Sequence, residues 1–386
     1  MEAEWKKMKR WPTKPLGELV SLEYGEALKS EERSGNGRYP VYGSNGIVGS
    51  HDAAIVMEPT IVVGRKGAIG EVHFAERGCW PIDTAFYTQF RQPGVVTLPY
   101  LLLWFRSVDL KTLAITATIP GLNRNTLYAQ QVPVPPLAEQ ERIVKLLDEA
   151  DELRKLRAEA DRRTADLIPS LFHEMFGDPS INPYDWPVES VGTLFDAKRG
   201  GAKCGPFGSV LKKHEYVESG IPVWGIPNVL PNQFVEAGSL FISPSKFEEL
   251  RAYAVESGDL LFSRAGTVGR ICVARPSATD SIIGTNLIRV ALDRERVVPE
   301  FFATLVTLLG LEAARFRANA DESAYSFMNT TVLKALRMYL PPFPLQKDFA
   351  ARVAEIRAME TQQATSRRRL DDLFHSLLHR AFRGEL

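Results

Sequence analysis

Trp11-Pro12-Thr13-Lys14-Pro15-Leu16-Gly17-Glu18-Leu19-Val20 reads without a gap against Trp186-Pro187-Val188-Glu189-Ser190-Val191-Gly192-Thr193-Leu194-Phe195. Working outward, Pro40-Val41-Tyr42-Gly43 matches Pro222-Val223-Trp224-Gly225, and Arg65-Lys66-Gly67-Ala68-Ile69-Gly70 matches Arg264-Ala265-Gly266-Thr267-Val268-Gly269. Asn123 and Leu127 then stand against Asn329 and Leu333, and Pro135-Pro136-Leu137-Ala138-Glu139-Gln140 against Pro341-Pro342-Phe343-Pro344-Leu345-Gln346. The offset between partners grows in order, 175, 182, 199, then 206, as it does when a second copy carries longer loops on a shared scaffold. Chance similarity scrambles such an order. Two like units on one chain suit a ligand that itself has a two-fold axis.

At 386 residues the chain exceeds one typical core, so two globular units with connectors are the natural count. Its 47 basic residues balance 47 acidic ones, so no global field draws it to a polyanion. A nucleic-acid surface here must come from local segregation of charge. The three cysteines, Cys79, Cys204 and Cys272, have no CxxC spacing and read as reduced thiols, neither a disulfide frame nor a zinc site. Residues 1–10 carry charge with no apolar run behind them, and no stretch approaches a bilayer span. The reading is a soluble cytoplasmic protein with no membrane partner.

Each repeat has two parts. The first, residues 1–136 and 179–343, mixes short β-branched or aromatic runs (54–63, 260–262, 282–290) with Gly, Pro and Asn turns, which predicts an α+β unit rich in strands. Helical stretches fall late in each, at 99–107 and 299–314. The second part, residues 137–178 and 344–386, is helical, with the helices themselves over 139–176 and 345–382. Prolines precede each helix, while Gly177 with Pro179, and Gly384, stop them. At about 1.5 Å per residue each is about 57 Å long.

Apolar residues recur at alternating three and four: Leu146, Ala150, Leu153, Ala160, Leu167 and Leu171, and then Val353, Ile356, Met359, Leu370, Leu373 and Leu377. So narrow a seam predicts a coiled coil between the two helices. Arg157 and Thr164, against Gln363 and Ser366, interrupt it midway, so packing weakens there or polar contacts fix the register. Antiparallel helices would set the globular units at opposite ends of a rod, able to present two readers about 34 to 36 Å apart, one turn of B-DNA.

Enzymatic motifs are missing. Asn182-Pro183-Tyr184 lacks the second proline of an adenine methyltransferase site, and no phosphate loop, dinucleotide fingerprint, HExxH or nuclease carboxylate cluster occurs. His375 and His379 share a helical face but read as a surface pair. No catalytic residue, metal ligand or cofactor is assigned.

Binding features are stronger. Tyr42, Ser44 and Asn45 lie on a glycine-hinged turn and offer an aromatic ring, a hydroxyl and a carboxamide to a base edge or phosphate. Arg65-Lys66-Gly67 and Arg264-Ala265-Gly266 each follow an apolar run, where a cation meets phosphate or guanine while glycine keeps the backbone clear. Asn123, Arg124 and Asn125, with Lys203, Lys212 and Lys213 around Gly205-Pro206-Phe207-Gly208, are candidate phosphate contacts, and Trp224, Asn228 and Asn329 complete the candidate DNA-binding set.

The duplicated plan resembles the specificity subunit of type I restriction-modification systems. The likeness rests on Tyr42-Gly43-Ser44-Asn45-Gly46, the paired Arg-x-Gly-x-x-Gly motifs, Gly205-Pro206-Phe207-Gly208-Ser209 with Lys212, Gly220-Ile221-Pro222-Val223, and the Pro-Pro-Leu-x-Glu-Gln helix start at 135–140. It implies an α+β fold of two pseudo-symmetric target recognition domains separated by two long antiparallel coiled-coil helices. Each domain would read one half of a split sequence in double-stranded DNA. The helices would act as a ruler and dock two methyltransferase subunits, which bind S-adenosylmethionine, and restriction subunits would join that core. The chain itself would then be non-catalytic. Two departures stand out: Pro344-Leu345-Gln346 replaces Leu-x-Glu-Gln, and the Tyr-Gly-Ser-Asn-Gly turn has only Trp224-Gly225 as its echo, so contacts in the two halves should differ. The rival readings are a self-contained methyltransferase or nuclease with an unfamiliar site, and a coiled-coil adaptor that binds only proteins.

Overall fold

The computed structural model describes residues 11–115, 121–208, 210–265, 268–309 and 328–386. Gly266 and Thr267 of the second Arg-Gly motif, Ser209, and residues 310–314 of the stretch read as helical over 299–314 lie outside the described residues. The chain forms two compact units. One takes the described residues up to Glu159 together with Ala364–Leu386, and the other takes Ala160–Gln363. The fold is a mixture of helix and strand, and the division runs through both long helices.

The first unit is built on a four-stranded antiparallel sheet in the order Val20–Tyr24, Ala85–Phe90, Thr60–Gly64, Val72–Ala75. Its central run Ile61-Val62-Val63 is fully buried because both faces are covered. Ile61 and Val63 enter the main core with Leu22, Phe86 and Phe105, while Val62 turns to a smaller cluster with Tyr42 and Ala85. That is the two-residue period of a strand. A second sheet sets Tyr39–Gly43 between Gly46–His51 and Trp80–Pro81, the last pair parallel.

The second unit repeats this order with Ala202–Cys204, Leu287–Val290, Leu260–Ser263 and Ile271–Val273, again antiparallel. Leu260 and Phe262 face the main core, and Leu261 faces Trp224 and Cys272. The second sheet again contains a parallel pair, Ile221–Trp224 with Ile282–Ile283.

Helix Leu98–Ser107 and helix Pro299–Leu308 are each buried along most of their length. The residue that ties them to the long helices is a glutamine. Gln140, fully buried, accepts from the Thr97 amide at 2.8 Å and donates to the carbonyls of Val95 and Pro135, each at 2.9 Å. Gln346, also fully buried, accepts from the Val298 amide at 3.0 Å and donates to the Pro341 carbonyl at 2.8 Å. Both amides belong to helix N-cap residues, where backbone donors lack intrahelical acceptors.

The long helices differ from the sequence reading in two respects. The first is broken: Leu137–Ala165 ends at Asp166, and Leu167–Phe176 follows. Pro169 explains the break, since its ring nitrogen has no hydrogen for the Ala165 carbonyl and its ring crowds that carbonyl. The second, Phe343–Ala381, is continuous. The seam holds in part: Ala150, Val353 and Ile356 are buried as expected. Leu153 and Leu167, and Met359 and Leu373, are exposed at 41 to 51%. The buried positions are Ile143, Leu147, Ala150, Thr164, Ile168, Phe172 and Phe176 in the first stretch and Phe349, Val353, Ile356 and Leu378 in the second. Within each unit these side chains pack into that unit's own core.

Within the first unit, Ile143 and Leu147 share a core with Leu378 and Ala381, and Arg154 Nε donates to Asp371 at 2.8 Å. Within the second, Gln363 donates to Thr164 Oγ1 at 2.9 Å, and the rings of Phe172 and Phe176 pack on Phe349 at 5.6 and 5.3 Å. In each unit the paired helix segments therefore run in opposite directions. No helix among the described residues is long and apolar enough to cross a membrane.

Candidate nucleic-acid interface

In the first unit, Ser44 and Asn45 form the two-residue turn of a hairpin whose strands pair Gly43 with Gly46. Gly46 at φ +107° completes the bend. The turn leans on the 64–70 loop, where the Ala68 amide donates to Ser44 Oγ at 3.4 Å. Gly64 cannot be replaced there, because a Cβ would lie 2.2 Å from the Ala68 carbonyl oxygen.

Arg65 leaves the end of Thr60–Gly64 with its backbone fixed on both sides: its amide donates to the Thr84 carbonyl at 2.9 Å, and its carbonyl accepts from the Leu122 amide at 2.9 Å. Its guanidinium donates to the Asp83 carbonyl at 3.0 Å and lies 4.7 Å from the centre of the Tyr24 ring. The Arg124 guanidinium lies 5.1 Å from the same ring. Tyr24 is exposed and ends the neighbouring strand. Asn123 caps the short helix Arg124–Tyr128 by accepting from the Asn125 amide at 2.8 Å, and Lys66, Asn123 and Asn125 are exposed. One end of the main sheet thus gathers Tyr24, Ser44, Asn45, Arg65, Lys66 and the 123–125 segment.

The second unit rebuilds this arrangement. Arg264 follows Leu260–Ser263, its amide donates to the Asn286 carbonyl at 3.0 Å, and its carbonyl accepts from the Met328 amide at 3.3 Å. Its guanidinium lies 5.6 Å from the Phe207 ring, which is 60% exposed. Asn329 caps helix Thr330–Ala335 by accepting from the Val332 amide at 2.9 Å. Lys212 and Lys213 are exposed on the segment that follows Phe207. Lys203 stands apart, on its strand, with Nζ 4.7 Å over the Tyr253 ring.

Three candidates are corrected. Tyr42 is buried in a core cluster and donates its hydroxyl to the Phe74 carbonyl at 3.3 Å; burial pushes that hydroxyl above the usual tyrosine range. Trp224 is 2% exposed, with its ring edge-on to Phe234 at 5.0 Å. Asn228, 1% exposed, accepts from the Gly225 amide at 2.7 Å and donates to the Val235 carbonyl at 2.7 Å. All three hold the second sheet or its turns rather than facing solvent. Asn182, of the methyltransferase-like triplet, likewise closes a turn on Trp186.

The sequence does not single out Tyr24, and it marks Phe207 only by its flanking glycines. The signal in the sequence is an aromatic within two residues of a glycine, Tyr24 with Gly25 and Phe207 with Gly205; in the structure a Cβ on Gly25 would lie 2.2 Å from the Ile82 carbonyl oxygen, and one on Gly205 would lie 1.9 Å from that of Gly284.

A model of the type I restriction modification DNA specificity domain matches residues 8–162, the stretch that contains the first of these constellations. Residues 8–162 are thus similar to the DNA specificity domain of type I restriction-modification systems. It is 24% identical over 298 residues to the EcoKI specificity subunit of Escherichia coli K12, covering 72% of this chain and 62% of that protein. It is 23% identical over 304 residues to the EcoBI specificity subunit of Escherichia coli, covering 70% and 61%. The chain thus spans roughly three-fifths of the length of these relatives. Its fold is similar to that of the type I restriction-modification S subunit from M. genitalium, with a TM-score of 0.61, 18% identity and 98% of each chain covered. A chain from a type I system solved in the context of complex assembly gives the same TM-score of 0.61 over 98% of this chain.

Proposed function

We propose that this chain is the DNA-recognition subunit of a type I restriction-modification complex, with each unit reading one half of a bipartite site in double-stranded DNA. The observation that carries the reading is the repeated constellation: a guanidinium over an exposed aromatic, beside an asparagine-capped helix, at the same end of the same sheet in both units. A guanidinium held over a ring is pre-organised, and its planar fork matches phosphate or guanine. Local cations on a neutral chain supply the attraction that net charge does not.

The two sites are not copies. Among the described residues two guanidiniums flank Tyr24 and one lies over Phe207, so the contacts made by the two halves should differ. Residues 1–136 and 179–343 act as target recognition domains, and residues 137–178 and 344–386 pair as an antiparallel coiled-coil spacer. Two methyltransferase subunits dock on that spacer, bring S-adenosylmethionine and flip the target adenine in each half-site. Restriction subunits join this core in the cytoplasm, and this chain performs no chemistry itself. The test is a map of methylated adenines with and without this chain, methyltransferase being present in both. A split motif that vanishes without the chain supports the reading. Methylation or cleavage by the purified chain alone, or no salt-sensitive DNA affinity in the assembled complex, would overturn it.

A further inference from the structure

In the second unit, strands Ala202–Cys204 and Leu260–Ser263 run the same way, both antiparallel to Leu287–Val290. Arg264 and Phe207 follow the ends of the first two. A cavity of about 390 Å³ lies near their beginnings, where the cations Lys198, Arg199, Arg251 and Arg289 outnumber the lining carboxylates Glu256 and Asp280, and Ser281 adds a hydroxyl. It is therefore distinct from the proposed DNA-reading end.

The cations of this cavity are not equally matched. Arg199 pairs with the buried Asp259 and reaches Glu256 at 3.0 Å, and Arg251 pairs with Glu248 at 2.9 Å. Lys198 is exposed and makes no ion pair among the described residues. Arg289 is only 6% exposed, yet it donates only to neutral carbonyls, those of Ala254 at 3.2 Å and Arg199 at 2.9 Å, and its Nε has no partner. Ser281 is fully buried and its hydroxyl also has no partner. Burial lowers the Arg289 guanidinium from its ordinary value, with the nearby Asp259 and Glu256 carboxylates opposing the shift but neither bonding to it. A buried cation, a buried donor and a free surface cation around one concave space are the complement of a small anion with several acceptor oxygens.

We propose that this cavity binds a phosphoryl-type oxyanion, with Lys198 and Arg289 supplying charge and Ser281 a hydroxyl donor. The oxyanion has two sources, a free phosphate or a phosphate of the DNA backbone. Calorimetric titration of the full chain with inorganic phosphate, at ionic strength held constant with chloride, tests the proposal. Saturable binding is expected, weakened about tenfold by Lys198→Ala and by Ser281→Ala. Ser281→Ala removes a hydroxyl with no partner, so the variant should fold at least as stably as the parent in chloride. No saturable phosphate binding, or unchanged affinity in both variants, would sink the proposal. DNA affinity in phosphate and in chloride separates the sources. Unchanged affinity supports a free ion, whereas competition that disappears in Lys198→Ala supports a backbone phosphate held in the same cavity.

Discussion

A guanidinium stacked on an aromatic ring has a different requirement from a cation in free solution. Arg65 is fixed by two backbone hydrogen bonds and lies over Tyr24, so its planar fork is aimed before any ligand arrives. Arg65→Ala should cost about 1 to 3 kcal/mol of DNA binding, and Arg65→Lys should not restore it, because an ammonium neither stacks nor forks. Fluorescence anisotropy at fixed salt measures both, and equal affinity of Arg65→Lys and the parent would remove the ring from the argument. A second residue-scale prediction concerns stability. Gln140→Ala leaves the Thr97 amide and two carbonyls without their partner in a buried site, and Gln346→Ala does the same for Val298 and Pro341. Each should lower unfolding free energy by about 1 to 3 kcal/mol in urea titrations. Both arginines and both glutamines were legible in the sequence as repeated letters at repeated spacing. What the letters did not carry was side-chain direction: Tyr42 and Asn228 stand among turn residues and yet point inward, because each satisfies a backbone group of its own fold.

At the scale of the element, the long helices were legible from their prolines and glycines, and their contact face was not. A three-four spacing of leucines fits more than one stripe on a helix rich in apolar residues. The stripe that is buried is chosen by the core of each unit, which takes in Leu147 in the first and Phe172 in the second and leaves Leu153 and Leu167 exposed. Leu147→Ala should therefore cost about 2 to 5 kcal/mol, and Leu153→Ser should stay within about 0.5 kcal/mol, both by chemical unfolding. A large loss from Leu153→Ser would restore the leucine seam. The break at Asp166 was present in the sequence as Pro169, set inside an otherwise helical pattern and read through. Midway, the contacts within each unit are polar, Arg154 with Asp371 and Thr164 with Gln363. Such pairs add little net stability but disfavour slipped registers, in which each would lose its partner.

At the scale of the whole molecule, two weak readers joined on one chain gain affinity only when both bind at once. The effective concentration of the second reader depends on what joins the two, so under the proposed function the spacer would be a specificity element without touching a base. If the long helices set the gap, removing seven residues from the middle of each, as a matched pair, shortens the spacer by about 10 Å. On DNA rising about 3.4 Å per base pair, that is a gap shorter by about three base pairs, together with a rotation of one half-site about the duplex. The half-site sequences themselves should not change, because they are read by side chains outside the deletion. The check is a map of methylated adenines made with the shortened chain and its methyltransferase: the same two half-sites, more closely spaced, are the expected result. An unchanged gap from a folded, active complex would mean that the distance is held by the partner subunits, and the helices would then be docking surfaces alone.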